Sequence, residues 1–386
     1  MMSFNNFEEK ENKRIIRTLT IGAVTIIAIA IIAYGAYKGR TKDQAPSEVN
    51  AKAGNQNLVT DESSNTVPGA AKDDEKKLDV LRTWSRKDCS LAPWLVTDKL
   101  GYFKEEGIKL VFTGELQASQ QIASIISGDN DVAATHPNTL AVAVNGGAEL
   151  VGVSRGIIEP EPEVDEKFRH MWWFVNPKKY PDIKNFGDLK NIKGKIKINT
   201  AAKNICTDFL NNYLADKYGI PKDKFEWVTM PDIQAIQSIK QGLIDVSSVH
   251  PPFYKGMLDA GAVKIADSSE PNLGPLAGLT VNYFRKDFIE KNPDLVKRFV
   301  RAISKGQRYA NAHPDEVAMW VSDAIGIPVT GNHWYGDDTT IDEDEIVPWI
   351  KQLEENKVIP KGKVKASDLV VHVFEKYGNE GKEEVK

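Results

Sequence analysis

Two histidines occupy matching places in an internal repeat. Imidazole can donate a hydrogen bond to an oxyanion or offer a neutral nitrogen to a metal near neutral pH. The segment QQIASIISGDNDVAATHP (Gln120–Pro137) aligns without gaps on QAIQSIKQGLIDVSSVHP (Gln234–Pro251), with nine identities in eighteen positions. Each copy reads as a helix, a glycine stop, a short buried strand and a His-Pro pair at the strand's carboxyl end, His136-Pro137 and His250-Pro251. Proline suits the first turn of a helix, where its missing N–H has no intrahelical partner. Ligands in open α/β sheets bind beyond the carboxyl ends of strands. The two corners are therefore expected to form the lips of one cleft between two similar lobes. The competing reading is that each imidazole satisfies backbone groups beside its proline. Two histidines are too few ligands to argue for a metal, and no metal, cofactor or catalytic residue is predicted.

Further candidates surround these corners. Ser85, Gln117, Thr135 and Asn204 end strands or begin helices and are expected polar contacts. Strand IKIN (Ile196–Asn199) runs through Thr200-Ala201-Ala202-Lys203-Asn204 into a helix from Cys206 to Tyr218. Backbone N–H groups at that helix start, with Lys203 beside them, offer a seat for an anion. The plainer alternative is that Thr200 or Asn204 merely caps the helix. Trp84, Trp94, Trp172, Trp173, Phe253 and Tyr254 can supply flat apolar walls, and we expect only some to touch ligand, with Trp94 and Phe253 chosen among them. Arg155 follows a strand end and is a further candidate, with a surface ion pair as the plainer alternative, and Asp131 and Asp245 read as braces for their loops. The acidic run Asp342–Glu345 lacks the spacing of a calcium loop and reads as a solvated helix start.

Positioning these residues requires alternating strands and helices. Strands are expected at DVLRTWS (from Asp79), Ile108–Thr113, Asp131–Thr135, Glu149–Ser154, MWWFVNP (Met171–Pro177), Lys224–Met230, Val263–Asp267 and Leu279–Phe284. The last of these should return the chain to the first lobe. Helical spacing marks Leu91–Leu100, Gln117–Ser127 and the long stretch from Asp294 that Pro314 interrupts. Such alternation argues for parallel sheets with covered faces.

The chain has 386 residues, 41% hydrophobic and 27% charged, with a net charge of −4. That length suits two domains. The near-neutral balance gives no reason to expect nucleic acid as a partner. Cys89 and Cys206 are the only cysteines; no zinc-ligand spacing occurs, and the sequence leaves a disulfide between them open. Leu19–Tyr37 is uncharged, with TIIAIAIIA at its heart and Arg14 and Arg17 before it. At about 1.5 Å per residue it can span a bilayer core of about 30 Å. It is expected to be an uncleaved transmembrane anchor after a short cytoplasmic stretch, residues 1–18. Residues 38–78 read as a disordered linker.

The order and spacing of several motifs resemble the solute-binding proteins of the nitrate/sulfonate/taurine class of ABC importers. LAPWLVTDKLGYFKEEGIKLVF resembles that family's opening helix, and SGDNDVAATHPNTLAVAVNGGAELVGV its glycine-aspartate strand and following helix. FGDLKNIKGKIKI, QGLIDVSSVHPPF and DFIEKNPDLVKRFVRAISKGQRYANAHPDE resemble its second-lobe entry, second cleft strand and late helices. The resemblance covers about residues 79–378. It implies an α/β, two-lobed periplasmic-binding-protein fold of type II with two crossover strands. The expected lobes are 79–172 with 280–378, and 173–279. The resemblance also implies capture of a small solute by lobe closure outside the cell, delivery to an ABC permease and ATPase, and no enzymatic activity. A monomer held to the cell membrane by the amino-terminal helix is expected. The same fold includes pyrimidine-synthesising proteins of thiamine metabolism, so a binding protein or enzyme for a pyrimidine compound is the alternative. Their cysteine-rich motif is absent here. Thr200–Asn204 departs from the family's small hydroxyl and glycine residues, and Gly331–Glu345 matches no pattern.

Overall fold

The computed structural model describes residues 77–380. The expected anchor and most of the linker lie outside the described residues. Among the described residues no helix is long and apolar enough to cross a membrane.

Among the described residues there are twelve strands: β1 (Asp79–Ser85), β2 (Ile108–Glu115), β3 (Val132–Thr135), β4 (Leu150–Arg155), β5 (Ile157–Ile158), β6 (Trp172–Val175), β7 (Ile196–Thr200), β8 (Phe225–Thr229), β9 (Val246–Val249), β10 (Val263–Asp267), β11 (Val281–Arg285) and β12 (Trp334–Tyr335). They divide between two halves of the molecule. In one, β1 pairs with β2 in parallel, and β11 lies between β3 and β4. In the other, the strand order is β10-β6-β9-β7-β8. The expectation of parallel sheets holds for β1 with β2 and for β7 with β8 and β9. It fails for β11, which runs antiparallel to β3 and β4, and for β6, antiparallel to β9 and β10. These two strands enter just after the chain crosses between halves, so they approach their sheets from the opposite end.

Burial explains why each half holds together. Leu81, Ile108, Val132, Val153 and Phe284 pack against Val296, Phe299, Val300 and Ile303 of the helix Pro293–Ala312. That helix places apolar residues three and four apart, so one stripe faces the sheet. In the second half Trp173, Val175, Ile196, Ile198 and Val246 pack against Phe209, Leu210 and Leu214 of the Cys206–Tyr218 helix. Trp349, from the late helix Glu343–Glu355, inserts into this second core although its sequence position is far downstream.

The two halves are joined where two connecting segments run side by side. The backbone N–H of Thr280 donates to Ile157 O, Gly156 N–H to Thr280 O, and Glu159 N–H to Pro275 O. The Thr280 hydroxyl accepts from Ile157 N–H. Gly278 must be glycine here, because a Cβ would fall 2.6 Å from Glu159 N and from Ile158 C. The segment Gly331–Glu345, which matched no sequence pattern, lies along this crossing: β12 pairs antiparallel with β5. Asp342 then caps Asp344 N–H and opens the Glu343–Glu355 helix, as the acidic run suggested.

Candidate functional site

The two His-Pro corners are built alike. In each repeat the aspartate before the strand docks that strand on its neighbour. Asp131 N–H donates to Arg82 O, and its carboxylate accepts from Arg82 N–H and the Arg82 guanidinium. Asp245 N–H donates to Lys197 O, and its carboxylate accepts from Lys197 N–H, Lys179 Nζ and the Tyr180 hydroxyl. Both aspartates therefore brace β-structure. Gly128 and Gly242 end their helices at φ 83° and 74°, the left-handed region that glycine enters without a Cβ clash. Each strand then delivers its histidine.

The histidines meet on a third. The His170 ring lies 5.0 Å from that of His136 and 5.0 Å from that of His250, edge-on to both, and 5.2 Å from that of His333. His136 comes from the end of β3, His250 from the end of β9, His170 from the segment before β6, and His333 from the residue before β12. The chain has six histidines, and four of them are here. Cys206, first residue of its helix, completes the group: its Sγ lies 3.2 Å from His250 Nε2. One ligand atom each from His136, His170 and Cys206 fall within 4.8 Å of one another. Phe209 and Trp349 stack at 3.6 Å beneath, and Trp349 also stacks on His136 at 5.3 Å.

Hydrogen bonds fix which nitrogens face the centre. His136 Nδ1 lies 2.8 Å from Leu279 O, an acceptor, so Nδ1 carries the proton and Nε2 is left for the cleft. His250 Nδ1 lies 2.8 Å from Asp232 Oδ2, the same oxygen that accepts the His250 backbone N–H. His170 is buried with neither ring nitrogen hydrogen-bonded, and the Nδ1 of buried His333 is also without a partner. Buried polar atoms without partners are rare and point to an occupant.

Electrostatics divides the group. Burial alone pushes the Cys206 thiol up, but attraction to His136 and His250 outweighs it and holds it well below the ordinary value. Burial opposes charge on His250, yet Cys206 and Asp232 raise it well above the usual imidazole value. Burial lowers His170 to about 4 and His333 well below its usual value, so both present neutral rings near pH 7. The result is a thiolate facing an imidazolium, with neutral imidazoles beside it. Such a set can coordinate a metal or act as an activated thiol nucleophile.

Other sequence candidates lie elsewhere or at the edge. Trp94 is core, packed on Phe299 with its ring beneath the Arg86 guanidinium. Phe253 is buried in an apolar cluster with Trp172 and Tyr254, whose rings stack at 4.4 Å. Trp84 and Trp173 are likewise buried in cores. Gln117 is exposed and caps its own helix with Gln120. Ser85 is half-buried at the end of β1, where the register with β2 shifts. Thr135 and Thr200 end β3 and β7; the Thr200 hydroxyl donates to Ala202 O. Lys203 is exposed and Asn204 is half-buried with φ 59°. Neither Thr200 nor Asn204 caps the following helix. The N-cap is Ile205, whose N–H donates to Asp208. Arg155 is largely buried against Glu345 rather than at the surface. Cys89 and Cys206 are both free and buried, and Cys89 Sγ donates to Gly331 O, so no disulfide joins them.

Sequence reasoning missed His170, His333, Asp232 and Trp349. His333 had a signal: a histidine in a segment, GNHWYG, that matched nothing else. His170 stands one residue before an aromatic strand, and nothing local distinguished it.

A two-half α/β molecule with its polar cluster at the crossing has the periplasmic-binding-protein fold, and known structures agree. The nitrate-binding protein NrtA of Synechocystis PCC 6803 superposes with a TM-score of 0.65 at 11% identity, covering 80% of this chain and 90% of that one. The ligand-binding component of an ABC-type import system from Staphylococcus aureus, solved with zinc bound, gives 0.61 at 14% identity, covering 77% and 98%. The aliphatic sulphonate binding protein SsuA of Escherichia coli gives 0.59 at 16%, covering 76% and 92%. None of the curated proteins matches the sequence. The NMT1/THI5-like family model matches residues 89–317, more than half of the chain, and the chain belongs to that family.

Proposed function

We propose that this chain is the extracytoplasmic solute-binding component of an ABC importer, and that it captures a small solute at the His136–His170–Cys206–His250–His333 cluster. The observation that carries this reading is the convergence of both His-Pro corners on His170, beside the segments that join the halves. Opening about those segments would separate His136 from His250 and Cys206, and closure would bury whatever lies between them. The binding proteins for nitrate and sulphonates among the similar structures support a small anion of that class as solute. The lobes would be 79–172 with 280–378, and 173–279. Ser85, Thr135, Thr200, Lys203 and Asn204 would form the rim, and the permease and ATPase would recognise the closed form. The Leu19–Tyr37 run would tether a monomer at the membrane, with the folded part outside.

The test is thermal unfolding of the full chain against nitrate, alkanesulfonates, taurine, bicarbonate and pyrimidines. A ligand that binds only the folded state at about 100 times its Kd adds about 2.7 kcal/mol of stability. The expected outcome is such stabilisation by one of these solutes, lost in both His136→Ala and His250→Ala. Stabilisation by none of them, or equal stabilisation of both variants, defeats the proposal.

One observation favours a second reading. Asp232, His250 and Cys206 form an orienter, base and nucleophile in sequence, at 2.8 and 3.2 Å. A thiol enzyme would show rapid single-site alkylation at Cys206 and steady turnover of a candidate substrate; a binding protein shows no turnover.

A further inference from the structure

We propose that the cluster is a transition-metal site in which His136 Nε2, a ring nitrogen of His170 and the Cys206 thiolate coordinate a late first-row divalent ion of the zinc type. It concerns the same cluster as the solute reading but stands apart from it, assigning those side chains a metal.

Four observations lead there. First, the donors are of the right kind: imidazole and thiolate suit zinc, copper, nickel and cobalt, whereas calcium and magnesium take oxygen ligands. Second, the spacing fits. In a tetrahedral site with Zn–N about 2.0–2.1 Å and Zn–S about 2.3 Å, ligand atoms stand about 3.3–3.6 Å apart. The three atoms here lie within 4.8 Å of one another, so only a small contraction is needed. Third, His170 is buried with both ring nitrogens unpartnered, and His333 adds a third such nitrogen, Nδ1. A metal bound to His170 gives at least one of these nitrogens a partner. Fourth, the outer groups already orient the ligands. The Leu279 carbonyl holds the His136 tautomer that leaves Nε2 free, as outer partners of ligating histidines do.

The crowding restricts the occupant. His170 touches the rings of His136, His250 and His333 at centroid separations of 5.0 to 5.2 Å, which is van der Waals contact. Donor atoms within 4.8 Å of one another suit a single ion. His250 sits on the sulfur with Asp232 behind it, so it is a positioning residue that holds Cys206 toward the metal, or a fourth ligand once its proton leaves. Binding uses the Cys206 thiolate, whose proton rests on His250, and that proton passes to solvent if His250 becomes the fourth ligand.

The experiment uses the full chain, loaded with Zn(II), desalted and analysed for metal. One equivalent should remain. Co(II) in place of Zn(II) should give a sulfur-to-cobalt charge-transfer band in the near ultraviolet. Cys206→Ser should abolish that band and weaken binding by more than the about 10–100-fold that an outer partner's loss costs. Asp232→Asn should keep the band and weaken binding within that range. His372→Gln, an exposed histidine paired with Glu343 and Glu375, should leave both unchanged. Circular dichroism confirms that each variant is folded. Failure of the folded wild type to retain metal, or a charge-transfer band that survives in Cys206→Ser, overturns the proposal. Unfolding with and without metal, against the anions above, separates the two readings. Stabilisation of metal-stripped protein by an anion with no metal retained leaves solute capture standing and ends the metal site. Metal retention with no stabilisation by any anion does the reverse.

Discussion

The repeats at Gln120–Pro137 and Gln234–Pro251 share a scaffold and differ in what stands behind the histidine. Both use an aspartate to dock the strand, a left-handed glycine to end the helix and a proline to leave the corner. Behind His136 are a neutral carbonyl, Leu279 O, and the flat ring of Trp349. Behind His250 is a carboxylate, Asp232, at the first position of the repeat's helix. The matching position in the first repeat is Ala118, which has no group to offer. One backbone arrangement has thus been given two electrostatic settings. The first corner is held by packing and a dipole. The second is held by a charge, and that charge passes through His250 to Cys206. Geometry that is shared between repeats belongs to the fold; what is not shared tunes the site.

The largest test of this contrast is Trp349→Ala. Trp349 is fully buried, stacked between Phe209 and His136, and it carries the late helix onto the second half. Its removal should cost about 3–5 kcal/mol of unfolding free energy, measured by denaturant titration, and should weaken binding through His136. A loss below about 1 kcal/mol would mean the first corner does not depend on packing.

The braces come next, and they should not differ. Asp131→Ala and Asp245→Ala each leave a backbone N–H and a cation without their acceptor. Each should cost about 2–3 kcal/mol and leave metal or solute affinity near wild type once the protein is folded. Asp245 adds a pH signature. Burial alone would raise its pKa, but Lys179, Tyr180 and Lys197 N–H lower it below the ordinary 3.8. A depressed carboxylate pKa contributes stability above the unfolded value and loses it as pH falls through the folded one. The acid limb of the stability curve below about pH 4 should therefore flatten in Asp245→Asn. An unchanged limb would show that the lysine contact is not formed in solution.

The smallest effects probe the asymmetry itself. Asp232→Ala removes the acceptor of two His250 N–H groups and should cost about 1–3 kcal/mol. Ala118→Asp places a carboxylate at the equivalent point of the first repeat, where His136 Nδ1 already has Leu279 O, and should change stability by less than about 0.5 kcal/mol. If the two substitutions had comparable effects, the corners would not be electrostatically distinct.

Much of the scaffold was legible because it depends on local pattern. The apolar runs, glycine stops and helix-initiating prolines placed β3, β9, β11 and the Cys206–Tyr218 helix within a residue or two. The repeat marked His136 and His250 because equivalent positions in a duplicated fold lie at equivalent strand ends. Two errors have one cause. Trp94 and Phe253 read as ligand walls, but an aromatic side chain near a strand or helix start looks the same whether it faces a cleft or a core. Both face cores.

The sequence by itself determined the order of elements, the duplicated corners and the brace aspartates, because hydrogen-bond periodicity and turn chemistry act over a few residues. Only the tertiary structure brought His170, Cys206 and His333 to those corners. Their separations along the chain are set by how two halves cross and how a late segment folds back over the crossing. No local pattern encodes a contact between residues 136, 170, 206, 250 and 333, since burial of distant apolar faces, rather than any short-range preference, decides which strand ends face one another.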